Sequence, residues 1–521
     1  MMITQTLELA KFREALYSLF PMRKAAIMNL LDALTSNGHQ CHSIVQLSNS
    51  DCYERQYSSI TDAIADGLPH ANWDQIMKLV FKQATTNQDG QIARFIVDCT
   101  PNPRPHANKL ADRTITHFPN PAPGNKPICV GHQYSLLGLL PNNSADEKKH
   151  WMIPLSAGRV SSDQKGNEFG MQQISDCIKI LGLTDQLSIS IADSLYGTEN
   201  CRITASQQDN LIHIFRLNSK RNLFFAPENQ SQHGNKRGRK KEFGIKMSLN
   251  DINLHPTPDE QAETNWTSRK GKECRVVIQC WKNMLIRGSR QFRSSRYPMH
   301  LVKICIIDQQ GNMVFKHPLW LAIFGKRREE ISIVQCYKNY AGRYDIEHFL
   351  RFGKRKLLMD TYQTPDVEHE ECWWKLCILA YAQLYFARTL VPLLPEPWER
   401  FLPEYQSNFA TKQNVANAAQ AQRGFYKILN EIGTPAPSPV QRGNPCGRMK
   451  GEMMPKRVNN DIIFKKGRRL KSTKGIIWGF ENLPIDSNPE KIDGLIKLVR
   501  AVLDKLQLSP TKFAKILIDS S

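Results

Sequence analysis

The chain has 521 residues, with 70 Lys+Arg against 49 Asp+Glu, a formal net charge of +21. That length predicts several domains rather than one core, and 41% hydrophobic with 23% charged residues excludes a fibrous repeat or a wholly disordered chain. The longest apolar stretch, Leu376 to Pro395, is interrupted by Gln383, Arg388 and Pro392, so it is expected as a buried helix and not a membrane span. No basic n-region followed by an apolar run opens the sequence, so no secretory signal is expected. The 13 cysteines are scattered without a CxxC pair, as in a reduced cytoplasmic protein.

Residues 1–90 read as helices, with apolar residues at helical spacing from Leu7 to Phe20 and from Ala25 to Leu34, then from Tyr53 to Leu68 and from Trp73 to Phe81. At Ala93 the pattern changes. Arg94 to Asp98 is a short apolar run closed by an acid, and the proline-rich Pro101 to Pro105 after it cannot be helix. Pro127 to Leu140 and Trp151 to Leu155 read as strands, Phe169 to Leu181 as a helix, and Leu187 to Ala192 as an alternating strand ending at Asp193. A short helix (Glu199 to Gln208) and a strand (Leu211 to Leu217) complete an α/β layer pattern.

From 218 to 325 the helical periodicity disappears, and strand-like runs at Cys274 to Cys280 and Leu301 to Ile307 predict a mostly β insertion. Helices resume over Ile331 to Met359 and Glu371 to Thr389. A helix over Gln413 to Ile432, a basic stretch and a terminal helix over Pro489 to Leu506 follow. The expected divisions are 1–90, 91–217, 218–325, 326–400 and 401–521.

The positive charge is clustered. Eleven basic residues stand between Arg442 and Lys474 against Glu452 and Asp461, and a second cluster is Lys236, Arg237, Arg239, Lys240 and Lys241. Two clusters on top of the global excess point to a nucleic-acid partner.

Asp98 and Asp193 each close an apolar strand, and in the order above those strands are neighbours at the centre of the sheet. Two carboxylates brought together repel unless a cation lies between them, and Mg²⁺ suits such hard oxygen ligands while keeping positions open for phosphate. A third acid is found in a polar stripe. Tyr340, Arg343, Glu347 and Lys354 stand at offsets of 0, 3, 7 and 14, which at about 100° per residue span an arc of roughly 60° on one helix. A carboxylate flanked by two cations and a phenol is the set a site for metal and phosphate together requires.

The spacing Tyr-x2-Arg-x3-Glu-x6-Lys resembles the signature of the bacterial insertion-sequence DDE transposases that carry a Tyr-Arg-Glu-Lys motif. Asp193-Ser194-Leu195-Tyr196-Gly197 resembles the context of that family's second Asp, and Asp98-Cys99-Thr100 that of its first. His317-Pro318-Leu319-Trp320-Leu321 resembles a family segment whose Trp stacks on a flipped base. The proline-rich run after Asp98 departs from the family pattern, which leaves Asp112 as an alternative first acid.

The resemblance covers residues 93 to 390 and implies an RNase H-like α/β core, a mixed sheet flanked by helices and interrupted by the β insertion. It also implies a helical N-terminal DNA-end-binding domain and a basic C-terminal region. Asp98, Asp193 and Glu347 would bind two Mg²⁺ ions, with Mn²⁺ as a substitute. Tyr340, Arg343, Lys354, Trp320 and the Lys236–Lys241 cluster would contact DNA. The implied activity is binding of terminal inverted repeats, cleavage at the element ends and strand transfer into target DNA. A homodimer on double-stranded DNA, in the bacterial cytoplasm with the nucleoid, is the implied setting. The alternatives are a non-catalytic DNA-binding derivative and an RNase H-like nuclease that cuts without joining.

Overall fold

A computed structural model describes residues 2–38, 41–86, 92–118, 127–142, 149–227, 242–251, 255–267, 271–289, 292–391, 415–440, 447, 449–453 and 456–464. The basic cluster Lys236 to Lys241, eight of the eleven basic residues between Arg442 and Lys474 and the expected helix over Pro489 to Leu506 lie outside those residues. Among the described residues, no helix is long and apolar enough to cross a membrane.

A mixed sheet organises the molecule. Its first half consists of β1 (Ala93–Pro103), β2 (Thr114–His117), β3 (Ile128–Leu139), β4 (Ile153–Val160), β5 (Ser188–Ala192) and β6 (Leu211–Arg216). β3 runs antiparallel to β1, whereas β1, β5 and β6 are parallel neighbours. β2 and β4 share the outer edge of β3. This order is consistent with an RNase H-like core. β5 is buried at all five positions, as a parallel strand covered on both faces must be, and its sequence is accordingly apolar or small throughout.

β1 extends five residues past the expected Asp98 and carries Pro101 and Pro103 within the strand. The Arg104 N–H bonds the Val130 carbonyl, so alternation points the N–H positions of the two prolines away from β3. β5 pairs with β1 only as far as Ile96, so the missing donors leave no ladder bond unmade.

Beyond β7 (Asn222–Phe224) and β8 (Lys246–Ser248), which form a separate ribbon, the sheet continues through β9 (Glu260–Thr267), β10 (Glu273–Met284), β11 (Met299–Ile307) and β12 (Leu319–Phe324). β12 pairs antiparallel with β6, so this half prolongs the sheet that holds the acids. β9, the outer strand, alternates half-buried and exposed residues and carries Glu260 and Glu263, charges suited to an unpaired edge.

The helices are α1 (Met2–Ser18), α2 (Lys24–Thr35), α3 (Ser58–Asp62), α4 (Trp73–Thr85), α5 (Gly166–Ile180), α6 (Glu199–Ser206), α7 (Ile333–Ala341), α8 (Tyr344–Lys356), α9 (Val367–Ala387) and α10 (Ala418–Ile432). The 16 residues read as one helix from Tyr53 to Leu68 contain instead the short α3, a π-turn and the start of a 3-10 turn. From Leu376 onward α9 is largely apolar because it is enclosed on most sides, with β4, α2 and α10 packed against it. Arg13 of α1 reaches across to it, donating to Gln383 at 2.7 Å and pairing with Asp32 at 2.7 Å, with both charged side chains nearly inaccessible. The first helices therefore share their core with the sheet-bearing part of the chain.

The expectation that Tyr340, Arg343, Glu347 and Lys354 lie on one helix is corrected. α7 ends at Ala341, and α8 starts at Tyr344 after a tight turn through Gly342 and Arg343. Arg343 N–H bonds Tyr340 O and Asp345 N–H bonds Gly342 O, each at 3.0 Å, three-residue reaches that interrupt the α ladder. A Cβ at Gly342 would stand 2.9 Å from Leu140 Cδ1, so the turn lies close against the end of β3.

Candidate active site

The acids are placed by the register of the parallel strands. Ile96 of β1 is level with Ile191 of β5, so Asp98 and Asp193, each two residues further on, emerge at the same level and on the same face of neighbouring strands. Such strands stand about 4.8 Å apart. Asp193 also caps the short turn that follows it, its Oδ1 accepting from Leu195 N at 2.8 Å. Asp98 Oδ1 likewise accepts from Cys99 N at 2.8 Å.

Arg343 brings α8 to the same place. Its Nη1 lies 3.4 Å from Asp98 Oδ2, and its Nη2 donates to Glu347 Oε1 at 2.8 Å. The guanidinium also lies 5.7 Å from the centre of the Tyr344 ring. From Arg343 onward the polar stripe is real, because Arg343, Glu347 and Lys354 share an arc of about 40° on α8. Further along the helix axis Lys354 Nζ donates to Pro101 O at 2.7 Å, so α8 is fastened along β1 from Asp98 to Pro101. Tyr340 belongs to the other helix, and its side chain is buried.

Electrostatics follow from this crowding. Burial pushes the Asp98 carboxyl up to about 6; Arg343 opposes that, while Asp193 and Glu347 add to it as like charges. Burial likewise raises the Tyr340 phenol to about 12, so at neutral pH it is a hydrogen-bond donor and not a base. Burial works against the Arg343 charge, but Tyr340 and the three carboxylates outweigh it and raise its pKa. Lys354 is lowered, chiefly by burial.

Three carboxylates within electrostatic reach of one another, compensated by one guanidinium, form a hard-oxygen donor set whose chemistry suits a divalent cation. Among the described residues, no group of three such side chains is already gathered around a single point. Arg343 stands between Asp98 and Glu347 instead.

Other expected residues are placed elsewhere. Trp320 lies on β12 at 2% exposure, with its ring 6.0 Å from Trp281 and 5.3 Å from His255, a core position that offers no face to a base. Asp112 occupies a left-handed turn, where it is bound by Arg159 and by Ser162 N, and it joins the end of β4 rather than the acids. Sequence reasoning passed over Arg216. Phe215 is level with Ala192, so Arg216 lies beside Asp193, exposed, and within electrostatic reach of Tyr340. The signal was available, since Arg216 closes an apolar strand much as Asp193 does.

A mixed α/β sheet with Asp98 within β1, Asp193 at the end of the adjacent β5 and a third carboxylate on a late helix is consistent with a protein of the nuclease and transposase class. The family described as DDE superfamily endonuclease matches residues 15–275, just over half of the 521, and the chain belongs to it. The matched part contains Asp98 and Asp193 and ends before Glu347. No curated protein matches the chain. A nuclease or transposase activity on DNA, of the kind that generally uses divalent metal, is the function this membership carries.

Proposed function

We propose that the chain is an insertion-sequence DDE transposase. It binds the terminal inverted repeats of its element as a homodimer, cleaves at the ends and transfers the strands to target DNA. The supporting observation is that Asp98 and Glu347 share the Arg343 guanidinium while Asp193 lies within electrostatic reach of Asp98 and Arg343. In this reading the three carboxylates hold two divalent cations, Mg²⁺ or in its place Mn²⁺. The chemistry such a pair supplies is activation of the attacking oxygen and neutralisation of charge at the leaving one.

The chain's own groups do the rest. Arg343, with five N–H donors in a fixed fork, grips a phosphate and offsets the charge that develops on it. Tyr340 stays protonated and donates to a phosphate oxygen. Lys354 fixes the angle of α8 against β1 through Pro101 and adds a positive charge beside the cut end. The excess charge of +21 draws DNA to the protein. The bacterial cytoplasm, with the nucleoid, is the place such an enzyme works.

The test is a Mg²⁺-dependent assay on DNA carrying the flanking inverted repeats, run with wild type and Glu347→Gln. Cutting with joined product, reduced on the order of 10³-fold in Glu347→Gln while DNA binding persists, supports the reading. Cutting without joining would replace it with a nuclease, and binding without any cutting would leave a non-catalytic derivative.

A further inference from the structure

The contacts of Arg343 carry an inference about how the site is controlled, resting on the reading of Asp98, Asp193 and Glu347 as metal ligands. One guanidinium is shared by two carboxylates from different elements: Asp98 Oδ2 on β1 at 3.4 Å and Glu347 Oε1 on α8 at 2.8 Å. Asp98 Oδ1 is taken by Cys99 N, and Asp193 Oδ1 by Leu195 N. Four of the six carboxylate oxygens thus each meet one donor of the protein itself. Arg343 cannot relieve the crowding by losing its proton, because a guanidinium does not deprotonate in a protein. Its side chain is only 14% exposed, so little water screens its charge.

We infer that Arg343 and divalent metal are antagonists on the same carboxylates, so that Arg343 holds metal affinity down until a DNA phosphate draws the guanidinium away. A dication placed among Asp98, Asp193 and Glu347 meets a fixed positive charge, and it needs oxygens on which Arg343 already rests. A phosphate relieves both constraints, offering the guanidinium a bidentate partner and leaving the acids free. By reciprocity, bound metal raises the affinity for the phosphate by the same factor that the phosphate raises the affinity for metal. The cation that steadies the acids without DNA thus becomes the one that holds DNA, and metal loading is tied to substrate.

The test is Mn²⁺ binding by calorimetry, without DNA, on the full chain as wild type, Arg343→Gln, Arg343→Lys and Glu347→Gln, with matching far-UV circular dichroism as the entry condition. The inference predicts that Arg343→Gln binds Mn²⁺ at least about fivefold more tightly than wild type. Arg343→Lys, which keeps the charge, stays closer to wild type, and Glu347→Gln binds more weakly. Affinity in Arg343→Gln equal to or below wild type, with Glu347→Gln still weakened, overturns the antagonism and leaves the acids as the metal site. Affinity unchanged in Glu347→Gln as well overturns the metal-site reading and the inference with it. If Arg343→Gln does not fold, Arg343→Lys against Glu347→Gln carries the same comparison, and a Lys variant binding more weakly than wild type counts against the antagonism.

Discussion

Two carboxylates near the same strand, one sealed and one half-buried, meet opposite fates. Glu370 of α9 is wholly enclosed, yet it accepts from Arg104 Nε at 2.8 Å, His132 Nδ1 at 2.7 Å and the Tyr134 hydroxyl at 2.9 Å. Burial alone would raise its pKa, but those donors outweigh burial and hold it below the ordinary value. Asp98, six residues from Arg104 along β1, has one backbone donor and a shared, longer contact to Arg343, and its pKa is pushed up to about 6. Saturating an acid with protein donors makes it a structural rivet. An under-compensated acid next to two others costs stability and keeps lone pairs for a cation, the usual price of a functional site.

The sharpest way to break the comparison is Glu370→Gln. That change leaves Arg104 and His132 facing a neutral group in a sealed site, and urea unfolding should show a loss of about 3–5 kcal/mol. A loss below about 1 kcal/mol would mean that the network is not the rivet described. Asp98→Asn should act in the opposite sense. A carboxyl raised from 3.8 to about 6 on folding binds more protons folded than unfolded, so its contribution to stability falls as pH rises through that window and its cost is complete above pH 6. Removing the charge should therefore stabilise the metal-free protein at pH 7.5 by on the order of 1 kcal/mol, with the gain shrinking towards pH 4. A destabilised Asp98→Asn at pH 7.5 would show that Arg343 compensates the acid fully. The smallest effect is expected from Arg216→Ala beside Asp193, with stability within about 0.5 kcal/mol of wild type. Its DNA affinity should lose roughly one phosphate from the salt dependence, and an unchanged slope would remove Arg216 from the interface.

In the first half of the sheet β5 and β6 were legible because each is an apolar run closed by a charged residue. The expected strand ending at Asp193 and the observed β5 differ by one residue at the start. β9 was not legible: Glu260 to Thr267 holds Ala262 and Trp266 among polar residues, and an edge strand facing water needs no more. β12 was missed for the opposite reason, since a six-residue apolar run paired on both sides shows no alternation. The break between α7 and α8 sets Gly342 close against Leu140, residues 202 apart, a closeness that no local pattern carries. In the candidate site, the acids could be found from strand ends and helical spacing. The burial of Trp320 could not, because an apolar strand bearing a Trp reads the same whether its ring faces the core or a ligand.

The most direct test of the central claim is a crystal structure of the protein with Mn²⁺ and a repeat-end DNA, phased to show the anomalous signal of the metal. The account predicts manganese peaks against the carboxylates of Asp98, Asp193 and Glu347, with Arg343 turned to a phosphate. Manganese bound at other carboxylates, with Arg343 still bridging Asp98 and Glu347, would contradict it.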